Sequence, residues 1–527
     1  VTQVKKLELK EKSGFEVSEF NGELFLNSTK LYFRDLHLKT PNSNLAGNFK
    51  ILHGNWANYS NFIEDVPLNF FIKKNSNLSF IDIGYFASTF YGKPFNVKLN
   101  GQLNGTIDNI QTQNFYCAFG DRSFFNENWP NRGRHWLPIL DHPNDKATSE
   151  FIVTAPDHYK VVSNGLLLEE SSLGNNTKLT HWKQSVPVSS WLFVLGVADF
   201  AVQYVDDFEG KSIQTWVYSK NREAGFYDFK EPTKKVLAFY TKYVGPYAYE
   251  KLANIQTPSV NGGMETSSAI FYGEDLVNGK GDERTRNIVV HEIAHQWFGN
   301  AVTESTWDDA WLSEGFATFF TILYYENQFG QDEYNKRIIK AKKAVLDMTV
   351  KMPDFSIIAP RTAEKEAVTT GLTYQKGAWV LHMLRDKMGE QNFQKGIKSY
   401  YKKFYNANAT TDDFRVEMEK AAGLDLKIFF KQWLYQPVNP KIDAIWTYDA
   451  TSHKININLT QSQLTNFNFD IPIEIGYYTK DSKTPLLLKM NLNKKQLSQS
   501  FNVKGIPENI EVDPRNVLLS SNTITKK

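Results

Sequence analysis

One pentapeptide governs the interpretation of this chain: His291-Glu292-Ile293-Ala294-His295. The surrounding pattern predicts a helix over 282–299, and on a helix positions i and i+4 share a face, so both imidazoles can reach one metal ion. Glu292 can instead reach a water molecule beside that ion. Because so short a motif also arises by chance, the residues around it must decide between a metal site and two histidines on a buried helix face.

A carboxylate follows the two histidines at a suitable distance. Glu314 comes after 18 intervening residues, near the start of a second helix predicted over 313–328. This helix can fold back and bring the carboxylate to the imidazoles. Two histidines and one glutamate leave the fourth position of a tetrahedral zinc ion open, as catalytic zinc sites require. The sequence therefore predicts one catalytic Zn²⁺ held by His291, His295 and Glu314.

The composition limits the classes of function. There are 60 basic and 58 acidic side chains and the net charge is +2, which gives no electrostatic argument for nucleic acid or for an anionic membrane surface. The lone Cys117 excludes an intramolecular disulfide and a thiolate zinc cluster, so any metal must be held by histidine and carboxylate. No stretch approaches the roughly 18 apolar residues of a membrane span. Because the chain starts at Val1, we expect a removed targeting segment or a fragment.

The hydrophobic pattern divides the 527 residues into four segments. Residues 1–112 contain short strand-like runs between Asn, Ser and Gly turns, and residues 113–218 contain longer ones. Helical periodicity dominates residues 219–437. Alternation returns over residues 438–527, which predicts a small β-sandwich. We therefore expect a multidomain α+β protein.

The zinc motif and its surroundings resemble the gluzincin aminopeptidases, the family of aminopeptidase N and the leukotriene-forming epoxide hydrolase. The resemblance rests on residues 291–300, residues 311–317 and a second signature at residues 262–265. It covers about residues 113–437 and, more loosely, the C-terminal β domain. It implies a partial N-terminal saddle β domain at 113–218, a thermolysin-like, mainly α zinc catalytic domain at 219–437 and a C-terminal β-sandwich at 438–527.

The resemblance also implies roles for individual residues. Glu292 would be the general base that acts on a zinc-activated water. Tyr374, in a Tyr-x-Lys-Gly sequence, would stabilise the oxyanion; without the zinc motif, a half-buried helix tyrosine is the better interpretation.

Recognition of a free N-terminus is the second implied property. Glu265 would pair with the substrate's α-amino group, a strong charge-assisted bond in a desolvated cleft. Gly262, Gly263 and Met264 would bind the substrate beside it, Gly262 and Gly263 by letting the chain lie extended, and Met264 by lining the pocket for the first side chain. For the two glycines the alternative is a turn without function.

Several positions near these motifs stay open. The segment at 132–147 resembles a segment of the family. Just upstream of it, relatives carry a Gln or Glu that also contacts the substrate amine. Here Glu127, Asn128 and Asn131 all lie near the corresponding position. Asp309 is a candidate carboxylate partner for a ligand histidine, with a solvated acid as the alternative. Ser313 replaces the Asn usual in the family and is expected to act as a helix N-cap.

Residues 1–112 carry another resemblance. Runs at 36–47 and 79–86 resemble the β-rich repeats of AsmA-like, translocation-and-assembly-module envelope proteins, and strands that complete the family's saddle domain are expected to be missing. The chain is then either a fusion or a recombined or misassembled reading frame with a truncated peptidase. In the second case exposed sheet edges would invite aggregation.

These features predict a zinc-dependent aminopeptidase that hydrolyses peptides with a free N-terminus. We expect a monomer, without a nucleic-acid partner, in the periplasm or outside the cell. One alternative is an epoxide hydrolase or bifunctional relative that uses the same zinc. Another is an envelope or lipid-handling structural protein with an inactive peptidase part, but this predicts a missing ligand or base, whereas all of those residues are present.

Overall fold

A computed structural model describes residues 2–85, 96–106, 109–119, 123–231, 233–359, 368–480, 482 and 484–527. The chain divides into two compact units, Val1–Ser123 (unit 1) and Phe124–Lys527 (unit 2). Within the described ranges, no helix is both long and apolar enough to cross a membrane. A β-rich N-terminal region precedes a mainly helical central region, so the expected α+β class is confirmed.

Unit 1 is an antiparallel meander in which each strand pairs with the next along the chain. Val17, Leu36, Ile72 and Val97 are buried members of four of its strands, and many of their neighbours stay exposed. The expected boundary at residue 112 falls inside the last strand. The strands are β1 (Thr2–Lys10), β2 (Glu16–Leu26), β3 (Leu31–Lys39), β4 (Asn44–Ile51), β5 (Leu68–Ser79), β6 (Asn96–Thr106) and β7 (Asn109–Phe119), with short helices α1 (Phe62–Asp65) and α2 (Phe80–Gly84).

The first part of unit 2 contains three sheets, and an edge strand of the third sheet lies at the candidate site. Two are antiparallel: β8 (Phe124–Phe125), β10 (Lys160–Ser163) and β13 (Leu195–Ala198) form one, and β9 (Lys146–Pro156), β11 (Leu166–Gly174) and β12 (Thr177–Ser189) form the other. The third is mixed and contains β14 (Phe200–Phe208), β15 (Lys211–Tyr218), β16 (Lys251–Thr257), β17 (Gly263–Met264) and β18 (Ala269–Gly273). Its order is β14-β15-β16-β18-β17, so β17 lies at an edge.

The α-helices in the described part of unit 2 fall between residues 222 and 434. They are α3 (Arg222–Lys230), α4 (Thr233–Tyr243), α5 (Glu283–His295), α6 (Trp311–Phe329), α7 (Gln331–Lys351), α8 (Gly371–Met388), α9 (Glu390–Lys403), α10 (Thr411–Ala422) and α11 (Lys427–Leu434), with the paired short strands β19 (Val302–Glu304) and β20 (Ala407–Ala409). Helices α6 and α8 approach closely at Gly315 and Gly377, where a Cβ on Gly315 would lie 2.9 Å from the Cα of Gly377. This contact brings the start of α8 against the start of α6.

The C-terminal residues form two further sheets. One contains β21 (Lys441–Asp449), β22 (Lys454–Gln461), β25 (Gln496–Asn502) and β27 (Ser521–Lys526), and the other contains β23 (Ile471–Thr479), β24 (Leu486–Leu492) and β26 (Pro507–Val512). Side chains of helix α8 make hydrogen bonds to backbone carbonyls in the loop after β26. Trp379 Nε1 donates to the Val517 carbonyl at 3.2 Å, and His382 Nε2 lies 3.0 Å from the Asn516 carbonyl oxygen.

Acid is expected to weaken this junction through His382. Burial lowers the pKa of His382 to about 4, from an ordinary value of 6.5, so between these values the unfolded chain binds a proton that the folded chain does not. Stability therefore falls as the pH drops from 7 to 5, by about 2 kcal/mol at pH 5 from this group. Thermal unfolding of His382→Gln should show a smaller pH dependence than the unmutated protein. The exposed His158→Gln is the control, and equal pH dependence in all three proteins would contradict the assignment.

Candidate metal centre and its surroundings

The two motif histidines lie one turn apart at the C-terminal end of α5, and His295 is its last residue. Asp282 caps its N-terminus by accepting a hydrogen bond from the Thr285 amide at 2.8 Å. The helix ends at His295 rather than at the expected residue 299. Gly299 has φ of +113°, and its amide donates to the Val302 carbonyl at 2.8 Å, so the chain turns into β19 there. Both imidazoles therefore sit at the end of the helix on one face.

The third residue of the centre is in the first turn of α6. This helix begins at Trp311 with Ala310 as its N-cap, so the expectation that Ser313 is the cap is wrong. Ser313 lies inside the first turn instead, with its Oγ 3.0 Å from His295 Nδ1. Glu314 lies in this first turn, as expected, and faces the imidazoles.

The donor atoms of His291, His295 and Glu314 are spaced as a metal site requires. The two Nε2 atoms are 3.2 Å apart, and Glu314 Oε2 lies 3.2 Å from His295 Nε2 and 3.5 Å from His291 Nε2. A tetrahedral zinc ion with bonds of about 2.0–2.1 Å holds its donor atoms about 3.3–3.4 Å apart. The residues therefore fit the zinc ion that the sequence predicts, both in chemical type and in spacing.

The charges at this centre favour a cation. Burial opposes ionisation of Glu314, yet the adjacent imidazoles, His295 foremost, lower its pKa to about 2. Glu314 is therefore a carboxylate at neutral pH although only 5% of its surface is exposed. An ionised oxygen between two imidazole nitrogens is a typical donor set for a divalent transition metal.

The orientation of His295 depends on a backbone carbonyl. Its Nδ1 lies 3.1 Å from the Phe298 carbonyl oxygen and is therefore the protonated nitrogen, which leaves the Nε2 lone pair for a metal. The expected carboxylate partner Asp309 does not serve this purpose. Its Oδ1 accepts hydrogen bonds from the Thr411 amide and hydroxyl, at 3.3 and 2.6 Å, at the start of α10.

Glu292 is packed against Gly263 of strand β17. Its side chain is buried, and a Cβ placed on Gly263 would lie 2.3 Å from its Cγ, Cδ and Oε1 atoms. Gly263 therefore makes room for the Glu292 carboxylate, a function that the sequence did not reveal. The neighbouring Gly262 differs, because its φ of +91° favours glycine and a Cβ there would meet nothing within 4 Å.

Met264 and Glu265 complete the signature. Both are buried, and a Glu265 carboxylate oxygen lies 3.8 Å from His295 Nδ1. Glu265 Oε1 has no hydrogen-bond partner among the described residues. Burial raises the pKa of this carboxyl to about 7. A buried acid with an unpaired oxygen beside the candidate metal centre is suited to receive a cationic ligand group.

Tyr374, near the start of α8, also reaches the centre. Its hydroxyl donates to Glu314 Oε1 at 2.7 Å, and its ring centroid is 6.0 Å from that of His291. The structure thus brings together every residue predicted for metal binding and catalysis.

Asn128 and Glu127, two of the three residues left open, differ in their surroundings. Asn128 uses both ends of its amide: Nδ2 donates to the Ser190 and Phe193 carbonyls, and Oδ1 accepts from Trp136. Glu127 is paired with Arg132, and burial raises its pKa. Its charge is also one of the influences that raise the pKa of Glu265. Of these two, Glu127 is therefore the one coupled to the candidate amine site.

Two family models match the chain. One, described as Peptidase family M1 domain, matches residues 227–433, and the other, described as Peptidase M1 N-terminal domain, matches residues 16–192. The second includes most of residues 1–112, and the AsmA-like resemblance of that segment receives no support from these matches.

Curated relatives show the same similarity. Glutamyl aminopeptidase of Rattus norvegicus is 27% identical over 427 residues, which are 78% of this chain and 45% of the relative. Glutamyl aminopeptidase of Sus scrofa is 31% identical over 329 residues, 60% of this chain and 35% of the relative. Aminopeptidase M1 of Arabidopsis thaliana is 28% identical over 327 residues, 60% of this chain and 37% of the relative. The chain thus spans less than half the length of these relatives.

Proposed function

The chain belongs to peptidase family M1, and on that premise we propose that it is a zinc-dependent aminopeptidase that removes N-terminal residues from peptides. One observation carries the proposal: three metal donors, a buried base and a buried acid with an unpaired oxygen converge in one place. A structural metal site would need a fourth protein ligand and would have no use for the two acids.

The metal ligands are proposed to be His291, His295 and Glu314, with one zinc ion. When bound, zinc supplies a Lewis acid that polarises the scissile carbonyl and lowers the pKa of water toward about 7. Glu292 takes a proton from the attacking water and passes it to the leaving amine. The Tyr374 hydroxyl turns from Glu314 to donate to the oxyanion that develops on the substrate.

Glu265 is proposed to select substrates with a free N-terminus. Its carboxylate is buried and its Oε1 unpaired, so an α-ammonium group can neutralise it at short range. Glu127 is preferred to Asn128 as the second group at this contact, because the Asn128 amide is occupied by structural hydrogen bonds. Asn131 stays open. Gly262, Gly263 and Met264 lie in or beside the edge strand β17, where an extended peptide can pair with the sheet.

We also propose that the chain has the three domains that the resemblance implies. The match to the M1 N-terminal domain supports a saddle β domain before the catalytic domain. The convergence of α5, α6 and α8 on the centre supports a thermolysin-like catalytic domain, and two separate C-terminal sheets support a β-sandwich.

The deciding experiment measures hydrolysis of a panel of aminoacyl-p-nitroanilides and their N-acetyl counterparts, with and without a chelator. The panel should include the glutamyl substrate, because two of the relatives are named glutamyl aminopeptidase. We expect cleavage of the free-amine substrates only, abolished by the chelator and restored by Zn²⁺. Cleavage of an epoxide substrate with no cleavage of any aminoacyl substrate would favour the epoxide hydrolase alternative.

Glu265→Ala is expected to raise KM for free-amine substrates by at least about tenfold, since a charge-assisted hydrogen bond to a buried group contributes about 1.5–3 kcal/mol. The zinc content should stay at one ion per chain, because Glu265 is not a ligand. Steady-state kinetics and metal analysis measure the two quantities. Unchanged discrimination against N-acetylated substrates would refute the role of Glu265.

A further inference from the structure

We propose that Gln296 and Asn300 are positioning residues for recognition of the substrate's amino group, and that they act through the main chain of Glu265. The inference rests on the proposed function and adds to it two residues whose side chains are not among the metal donors. Both follow the second motif histidine, in the turn that ends α5, and both have no exposed surface.

The two side chains converge on one carbonyl. Gln296 Nε2 donates to the Glu265 carbonyl oxygen at 3.0 Å, and Asn300 Nδ2 donates to the same oxygen at 2.6 Å. The other end of Gln296 accepts from the Ser268 amide at 3.0 Å. Gln296 therefore spans the segment 265–268 from its first residue to its last, and Asn300 reinforces the first of these anchors.

This segment needs external anchors because it departs from regular structure. Ser268 has φ of +62°, a left-handed conformation that is unfavourable for a residue with a side chain. Its Oγ accepts from the Gly165 amide at 2.9 Å and donates to Gln184, and Asn164 Nδ2 donates to the Ser267 carbonyl at 2.6 Å. Gln296 and Asn300 hold the same segment from the α5 side.

The anchors matter for recognition because one oxygen of the Glu265 carboxylate is not held by a hydrogen bond. Its Oε1 has no hydrogen-bond partner in the described part of the chain, so its position depends on the backbone that carries it. The Glu265 carbonyl belongs to the backbone that carries this side chain, and two amide donors fix it. A shift of the backbone at this point would move the carboxylate away from the place where the ammonium binds.

Asn300 is in turn held by Lys146. The Lys146 ammonium donates to the Asn300 carbonyl at 2.9 Å and to the Ala301 carbonyl at 3.0 Å. A lysine at the start of β9 thus fixes the turn after α5, and the turn fixes Glu265. The two donor contacts to the Glu265 carbonyl account for amide side chains, rather than apolar residues of the same size, at these fully buried positions. Asn300 Oδ1 has no hydrogen-bond partner among the described residues.

The test uses the near-isosteric variants Gln296→Glu and Asn300→Asp, which replace an N–H donor with an oxygen that faces the Glu265 carbonyl. We expect KM for aminoacyl-p-nitroanilides to rise about tenfold, kcat to change less than threefold, and bound zinc to stay at one ion per chain. In a Glu265→Ala background the same substitutions should add no further increase in KM, because the group they position is gone. An equal effect in both backgrounds, or an unchanged KM, would overturn the proposal.

A matched control separates positioning from general loss of packing. Gln432 is also a buried glutamine that donates to and accepts from backbone groups, both of Asp470, remote from the centre. Gln432→Glu should leave KM unchanged whatever it does to thermal stability. If the charged variants fail to fold, Gln296→Met removes the donor and acceptor without adding charge and should give the same KM increase. Absence of cleavage by the unmutated, zinc-loaded protein would overturn the proposed function, whereas cleavage with unchanged KM in the variants overturns only the positioning role.

Discussion

Glu292→Gln is expected to bind one zinc ion per chain and to lose turnover by about 10³-fold, since a positioned general acid–base group contributes about 10²–10⁴-fold. The amide keeps the shape of the side chain, so the packing against Gly263 survives. It cannot accept a proton from water at neutral pH. Because the metal donors are all on other residues, we expect metal analysis to show unchanged zinc content while kcat falls. Glu292→Ala should likewise retain zinc and lose turnover.

Glu417→Gln is the matched control for the loss of a buried carboxylate. Glu417 is 4% exposed and is paired with Lys403 and Lys420 on α9 and α10, away from the centre. This variant should lose stability but keep kcat. If Glu292→Gln retained more than about a tenth of the turnover, Glu292 would not be the base. If it lost its zinc, the side chain would be supporting the ligands instead.

The sequence predicted the centre well because its chemistry is local. His291 and His295 share a helix face wherever that helix lies, and only the distance to Glu314 required folding information. The same holds for the class of the fold, since the change from period 2 to period 3.6 near residue 219 is visible in the residues themselves.

What the sequence did not predict depends on contacts between distant segments. The residue type of Ser313 predicts a helix cap, but α6 begins two residues earlier and the Ser313 hydroxyl lies 3.0 Å from His295 Nδ1. Asp309 is a candidate partner for a ligand histidine from its place in the sequence, with a solvated acid as the alternative, yet its Oδ1 accepts a hydrogen bond from the Thr411 hydroxyl at the start of α10. Gln296 and Asn300 lie in the motif at 291–300, but the motif does not reveal their contacts, because their partner is a backbone carbonyl in a segment about thirty residues upstream.

Gly263→Ala is expected to lower kcat by about 10²-fold or more, since a displacement of about 1 Å in a catalytic group has effects of that size. The φ of Gly263 is not among the left-handed ones, so alanine adds no backbone strain there. The new Cβ would instead lie 2.3 Å from three atoms of Glu292, and the base must move. Its carboxylate has little space to move into, because Glu292 is only 6% exposed. Zinc binding should be retained, which distinguishes this loss from damage to the ligands.

A double-mutant cycle shows whether the collision with Glu292 is the cause. If Gly263→Ala acts by displacing the base, the double variant Gly263→Ala/Glu292→Gln should be no slower than Glu292→Gln alone, because the displaced group no longer catalyses. If the losses multiply instead, Gly263 acts on the substrate, as expected for an extended strand that offers its backbone to a peptide. The first outcome means that Gly263 acts by making room for Glu292. The second means that Gly263 binds the substrate, as its sequence motif implies.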